Sequence, residues 1–224
     1  MAWPYVADDT SDPLLAADAE VWQPFTDAVR ELVDACVQSD VDADDVRAAQ
    51  ADVEAALARL GKARLSSTLG QSGTVGSRRR AWGNPVIGVR NPIAPPLHVD
   101  SDPAGRAWSD FHLGPAYEGP PGLVHGGVVS LIIDQVLGHA VGAGRQPAMT
   151  GTLTIRYERG TPLGDLRVEA WVERREGVKI YAGAHVLGPD GPTAVAEAVF
   201  VVPRRFRDQL TDDTGAADQG STQG

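Results

Sequence analysis

Residues 125–144 read HGGVVSLIIDQVLGHAVGAG, and the fold follows from how that stretch can be buried. Val128, Val129, Leu131, Ile132, Ile133, Val136, Leu137, Ala140 and Val141 would cover almost the whole circumference of a helix. Ser130, Asp134 and Gly138, at four-residue spacing, remain as a narrow stripe. A helix so apolar has to be enclosed, so the spacing predicts a single helix buried against a sheet. Asp134 is the anomaly. A carboxylate among such neighbours is solvated through a slit, partnered, or held where its charge does chemistry.

Downstream the period changes from helical to two. Leu153, Ile155 and Tyr157 alternate with Thr152, Thr154 and Arg156, and Leu166, Val168, Ala170 and Val172 alternate with Arg167, Glu169, Trp171 and Glu173. Ile180, Ala182, Ala184 and Val186 continue the pattern, and a last run ends at Val202 before Pro203. These predict four half-buried strands joined by short connections. Glu176-Gly177 and Asp190-Gly191 are the expected hairpin turns, since glycine accepts the positive φ such turns require. Upstream, 87–99 and 107–113 are expected to be two further strands, interrupted by prolines that suit sheet edges.

Residues 22–60 read as two helices. Trp22, Phe25, Val29, Leu32, Val33 and Cys36 recur at helical spacing, with Pro24 acceptable only near the start. Val46, Ala49, Val53, Leu57 and Leu60 repeat the pattern up to a stop at Gly61. Residues 1–65 hold 14 acids and 5 bases, a net of −9 within a chain of −10. The expected organisation is therefore an acidic helical hairpin over 1–65, a Ser- and Gly-rich linker or mobile loop over 66–86, a sheet-and-helix domain over 87–205 and a polar, disordered tail over 206–224. The fold class is α+β.

Composition removes several function classes. With 224 residues, 42% of them hydrophobic, the chain has material for a sizeable core. Cys36 is the single cysteine, which excludes an internal disulfide framework and multi-cysteine metal sites. His98, His112, His139 and His185 show no metal-ligand spacing. The acidic balance argues against nucleic acid as a partner. No apolar run is long enough to span a bilayer and the N-terminus does not read as a secretory signal, so the expectation is a cytoplasmic protein.

The stretch 119–138, GPPGLVHGGVVSLIIDQVLG, resembles the signature of hotdog-fold thioesterases of the PaaI-like group. It is similar in particular to the THEM4 and THEM5 type of acyl-CoA thioesterase, which shares the Gly-Pro-Pro-Gly approach. The resemblance covers roughly residues 85–203. It implies a hotdog fold, an antiparallel sheet wrapped around a long central helix, with the N-terminal helical hairpin as an extension. It also implies an acyl-CoA substrate and a homodimer or higher homo-oligomer with composite sites at the subunit interface. Coenzyme A would enter as part of the substrate, and no metal or organic cofactor is expected.

The chemistry can be argued from the residues. At a helix start the first N–H groups lack carbonyl partners and the helix dipole adds partial positive charge. The N–H of Gly126 would polarise a thioester carbonyl and stabilise the oxyanion formed on attack. Asp134 would act as general base on a water or as the nucleophile. Eight residues separate the two, about 12 Å at about 1.5 Å rise per residue, and no single carbonyl spans that. They cooperate only if Gly126 comes from one chain and Asp134 from another, with the two helices antiparallel in a two-fold dimer.

The resemblance supplies further residues. Its thioesterases carry a Thr or Ser on the strand after the helix, seven residues before a Tyr, to orient the water or nucleophile. Counting back from Tyr157 gives Thr150, with Thr152, expected on the same face, as the fallback. His125, Gly127 and Thr152 are the candidate substrate-binding residues, and His125 has no proton-transfer role. Some PaaI-like enzymes place an Asn or Gln six residues before the His as a second carbonyl ligand, whereas Gly119 stands there in this chain. Ser130 lacks a Gly-x-Ser-x-Gly elbow and reads as helix packing. Arg78, Arg79 and Arg80, or Arg204, Arg205 and Arg207, are the basic runs available to coenzyme A phosphates. The alternative reading is a non-catalytic acyl-thioester binder or scaffold of the same fold. A hotdog dehydratase would need a His–acid motif that the sequence does not show.

Overall fold

The computed structural model describes residues 12–64, 72–75, 78–95, 97–143, 147–204 and 206–207. The chain divides into two compact units, Met1–Pro96 and Leu97–Gly224. The expected tail beyond residue 207 is outside the described residues.

In the first unit both helices form. The first, α1 (Asp12–Gln38), starts well before Trp22, so Pro24 sits inside it rather than near its start. A proline there leaves the Glu20 carbonyl without its helical donor. In the same region the Thr26 hydroxyl donates to the Trp22 carbonyl at 2.8 Å. The second, α2 (Ala43–Leu60), is capped by Asp42, whose carboxylate accepts from the N–H groups of Asp44 and Asp45. It buries none of its residues, and Val46 and Leu57 are 54% and 61% exposed. The apolar repeat that suggests a packed hairpin is therefore left open to solvent. Local terms carry α2 instead: the cap, the acids of its first turn and an alanine-rich sequence.

The division into units does not fall in the expected linker. Residues 72–75 and 78–81 pair as an antiparallel hairpin, β1 (Ser72–Val75) with β2 (Arg78–Ala81), and the boundary comes at Pro96. Nor do the described residues of 87–99 form a strand. The Asn84 side chain accepts from the N–H groups of Val86 and Ile87, and Gly88 donates back to the Asn84 carbonyl, so the chain runs as successive turns. Arg30 of α1 holds this segment in the first unit. Its guanidinium donates to the carbonyls of Ala94 at 3.2 Å and Asn91 at 3.1 Å, and the Arg90 guanidinium stacks on Trp22 at 3.6 Å.

The second unit is a six-stranded antiparallel sheet and one helix. The strands are β3 (Asp100–Ser101), β4 (Arg106–Leu113), β5 (Met149–Tyr157), β6 (Gly164–Glu176), β7 (Lys179–Gly188) and β8 (Gly191–Val201), in spatial order β3-β4-β6-β7-β8-β5. Glycines at positive φ, Gly177 at 56° and Gly191 at 103°, stand at the two predicted hairpins. The four downstream strands are sequential, but β5 is not beside β6. The connection between them crosses the start of β8, where Glu158 and Arg159 donate to the Thr193 carbonyl and Thr161 bonds the Thr193 hydroxyl. This sends β5 to the far edge, where it is more exposed than its alternation suggests.

The enclosed helix is α3 (Gly126–Gly142), with Val129, Ile132, Ile133, Val136, Leu137, Ala140 and Val141 buried. It packs on the face of the sheet lined by Val168, Ala170, Ala182, Ala184, Ala196 and Ala198. The alanines leave room for the larger side chains of the helix. Leu137 has no exposure at all. Leu137→Ala should lower unfolding stability by about 2–5 kcal/mol in urea denaturation, through lost transfer energy and the cavity left behind.

Candidate active site

The approach to α3 is a tied loop. Pro120 to Leu123 form a turn closed by Leu123 N–H on the Pro120 carbonyl at 2.9 Å, with Pro121 and Gly122 at its centre. Gly122 has φ 74°, the left-handed value the third position of a type II turn requires. Val124 N–H then donates to Thr161 O at 2.8 Å and His125 N–H to Tyr117 O at 2.9 Å. The chain thus enters the helix in a fixed direction. A Cβ on Gly119 would stand 2.9 Å from the Cα of His125, so the loop has no room for any side chain at that position.

His125 caps the helix. Its Nδ1 accepts the N–H of Gly127 at 3.0 Å, and its carbonyl accepts from Val128 and Val129. The Gly127 N–H is therefore occupied by the cap. Gly126, the first helical residue, has no carbonyl of its own helix to donate to.

Two turns along the helix stands Asp134. Thr150 Oγ1 donates to Asp134 Oδ1 at 2.8 Å. The strand reaches that contact by an irregularity. Seven residues, an odd number, separate Thr150 from Tyr157, so a regular strand would put them on opposite faces. The register shifts between Thr150, opposite Phe200, and Thr152, opposite Val199. Gly151 is the extra residue of this bulge, and a Cβ on it would stand 3.2 Å from the Val199 carbonyl oxygen and from Val201 Cγ2. The bulge brings Thr150 to the helix side, with Leu153, Ile155 and Tyr157. It also corrects the expectation for Thr152, which shares the opposite face with Val199 and cannot substitute for Thr150.

A second polar group, which sequence reasoning missed, lies at the helix start. Tyr157 Oη is 2.8 Å and Ser130 Oγ 2.9 Å from the Gly126 carbonyl oxygen, and the two hydroxyls are 2.8 Å apart. Ser130, read as helix packing, and Tyr157, read as a landmark, are thus joined. Their signal in the sequence was the four-residue step from Gly126 to Ser130.

The structure brings Asp134 to Thr150, and Gly126 to Ser130 and Tyr157. The two groups remain apart, since Gly126 and Asp134 are on one helix. Elsewhere, on the opposite face of the sheet, the Arg167 guanidinium beside Glu169, with His185 at 3.1 Å, holds the Glu169 carboxyl below the usual carboxylate range. An open concavity of about 590 Å³, lined in part by Asp110, Arg167 and Pro189, contains none of these site residues. Among the described residues no cluster of three His, Cys, Asp or Glu side chains is placed to hold a metal ion, and no helix is long and apolar enough to cross a membrane. Of the basic runs, Arg207 donates to the Val202 carbonyl, whereas the side chains of residues 78–80 and 205 are outside the described residues.

Residues 121–211, which begin in the Pro-Pro-Gly turn and include α3 and the Asp134–Thr150 pair, match the family model for the Thioesterase superfamily. The matched part is 91 of the chain's 224 residues. The acyl-coenzyme A thioesterase THEM4 of Xenopus laevis is 34% identical to it over 89 residues, 39% of this chain and 40% of the frog protein. The Bos taurus THEM4 is 35% identical over 89 residues, 36% of that protein, and the Mus musculus acyl-coenzyme A thioesterase THEM5 is 29% identical over the same length. The chain therefore matches about two fifths of these relatives' length. The crystal structure of a thioesterase superfamily protein is similar over 87% of this chain and 92% of its own, with TM-score 0.69 and 28% identity. That share exceeds the second unit, so the likeness also takes in part of residues 1–96.

This chain has its own solution to position 119. Gly119→Asn, which would restore the amide that some PaaI-like enzymes carry, should destabilise the protein by about 1–3 kcal/mol through the collision with His125. Thermal and urea unfolding of the variant check this.

Proposed function

We propose that the chain is an acyl-CoA thioesterase that works as a dimer, with Asp134 of one subunit and Gly126 of the other at each site. The hydrogen bond from Thr150 to Asp134 carries this reading. It anchors one carboxylate oxygen and, among the described residues, leaves Oδ2 without a side-chain donor. The family and the curated relatives supply the substrate class.

In the proposed reaction Asp134 Oδ2 takes a proton from water as the water oxygen attacks the thioester carbon. The carbonyl oxygen becomes an oxyanion bonded by the partner's Gly126 N–H, reinforced by the helix dipole. Collapse breaks the carbon–sulfur bond, and the proton on Asp134 passes to the departing thiolate, giving free acid and coenzyme A. A second copy has a place to sit. Leu131 on α3 is 40% exposed, Met149 on β5 is 54% exposed, and among the described residues β5 is an edge strand with one unpaired side.

Thiol release from short, long and aromatic acyl-CoAs tests the proposal. Wild type should turn over at least one of them, and Asp134→Asn should fall by about 10²–10⁴-fold. Thr150→Val should lose about 10-fold or more, the worth of a hydrogen bond to a charged group. Thr152→Val, on the other face, should match wild type. No hydrolysis of any acyl-CoA by wild type would overturn the assignment.

A further inference from the structure

The Ser130, Tyr157 and Gly126 oxygens form a triangle with edges of 2.8, 2.8 and 2.9 Å. A carbonyl donates nothing and each hydroxyl carries one proton, so three hydrogen-bond distances share two protons. If both hydroxyls donate to the carbonyl, their own lone pairs face each other. If one donates to the other, a single hydroxyl serves the carbonyl. In that second arrangement one hydroxyl is enough to serve the carbonyl, and the other proton lies between the two hydroxyls.

Tyr157 is the hydroxyl free to leave. Ser130 is bound to the same carbonyl through its own helix, four residues on. Tyr157 reaches in from β5 and is 49% exposed. Its oxygen stands 3.4 Å from where a Cβ on Gly126 would be.

Building on the thioesterase reading, we propose that Tyr157 gives the substrate carbonyl its second hydrogen bond. When the thioester binds, Ser130 keeps the Gly126 carbonyl and the Tyr157 hydroxyl turns to the oxygen held by the Gly126 N–H. The oxyanion then has two donors from one subunit, Gly126 and Tyr157, facing Asp134 of the other. Tyr157 thereby stands in for the amide that position 119 has no room for.

Turnover of wild type, Tyr157→Phe, Ser130→Ala and the double variant tests this, with Asp134→Asn as the control. Tyr157→Phe is expected to lower kcat by about 10²–10³-fold, the loss of one oxyanion donor. Ser130→Ala is expected to lower it as well, because Tyr157 must then stay on Gly126, and the double variant should be no worse than Tyr157→Phe. A clamp with no substrate contact gives the reverse: near-normal single variants and an impaired double, which overturns the inference. A second readout needs no turnover. In an acyl-CoA analogue with CH₂ replacing the thioester sulfur and a ¹³C-labelled carbonyl, the bound carbonyl stretch should lie at lower frequency in wild type than in Tyr157→Phe. Equal frequencies overturn the role of Tyr157 alone. Bound analogue with a shifted stretch but no thioester turnover overturns the hydrolase reading alone, and failure to bind ends both.

Discussion

Seven residues of α3 are buried against the inward face of the sheet, and this contact fixes the helix in rotation as well as in position. Each fully buried Val, Leu or Ile adds about 1.5–3 kcal/mol relative to exposure, so turning the helix would be costly. With that face inward, Ser130 and Asp134 are held at the margin, half-buried, where strand β5 can reach them. The chemistry of the site is thus set by an apolar contact. The same contact keeps Gly126 and Asp134 on one straight element, too far apart to meet on a single carbonyl.

Strand β5 is the second fixed element, and its bulge matters more than its alternation. Thr150 bonds Asp134 near one end of the strand and Tyr157 bonds Gly126 at the other. Both reach α3 only because Gly151 absorbs one residue. Without that extra residue either the threonine or the tyrosine would face away from the helix. The site therefore depends on a glycine that touches neither polar group.

Much of this was legible in the sequence because it depends on periodicity. The apolar circumference of 128–141 gave the buried helix, and period-two alternation gave β6, β7 and β8 with their glycine turns. Counting back from Tyr157 along a resembling strand singles out Thr150 as a residue that orients the water or nucleophile, and the structure sets its hydroxyl against Asp134. The bulge that turns Thr150 toward Asp134 is not announced by the same sequence, and alternation alone puts Thr152 on the face of Thr150. The apolar repeat of α2 was equally misleading, since periodicity records an amphipathic helix and not whether its apolar side is covered. The segment 87–99 reads as extended from its composition, yet Asn84 and the Arg30 guanidinium fold residues 84–94 into turns held on α1. The contact between Ser130 and Tyr157 is not legible in the sequence because it is tertiary, a helix turn and a strand end brought together by packing.

The central claim is that Gly126 and Asp134 act on one carbonyl from different subunits, and subunit complementation tests it most directly. Gly126→Pro removes the N–H at the first helical position, where proline is tolerated. His125, with φ −59° and ψ 130°, already has the extended backbone that a residue before proline needs. Asp134→Asn removes the base. Each variant alone should be nearly inactive. In a two-fold dimer, equal amounts allowed to exchange subunits place both defects in one site of each mixed dimer and leave the other intact, so about a quarter of the wild-type rate should return. A mixture that exchanges subunits, followed by two different affinity tags, yet stays as inactive as its components would contradict the shared site.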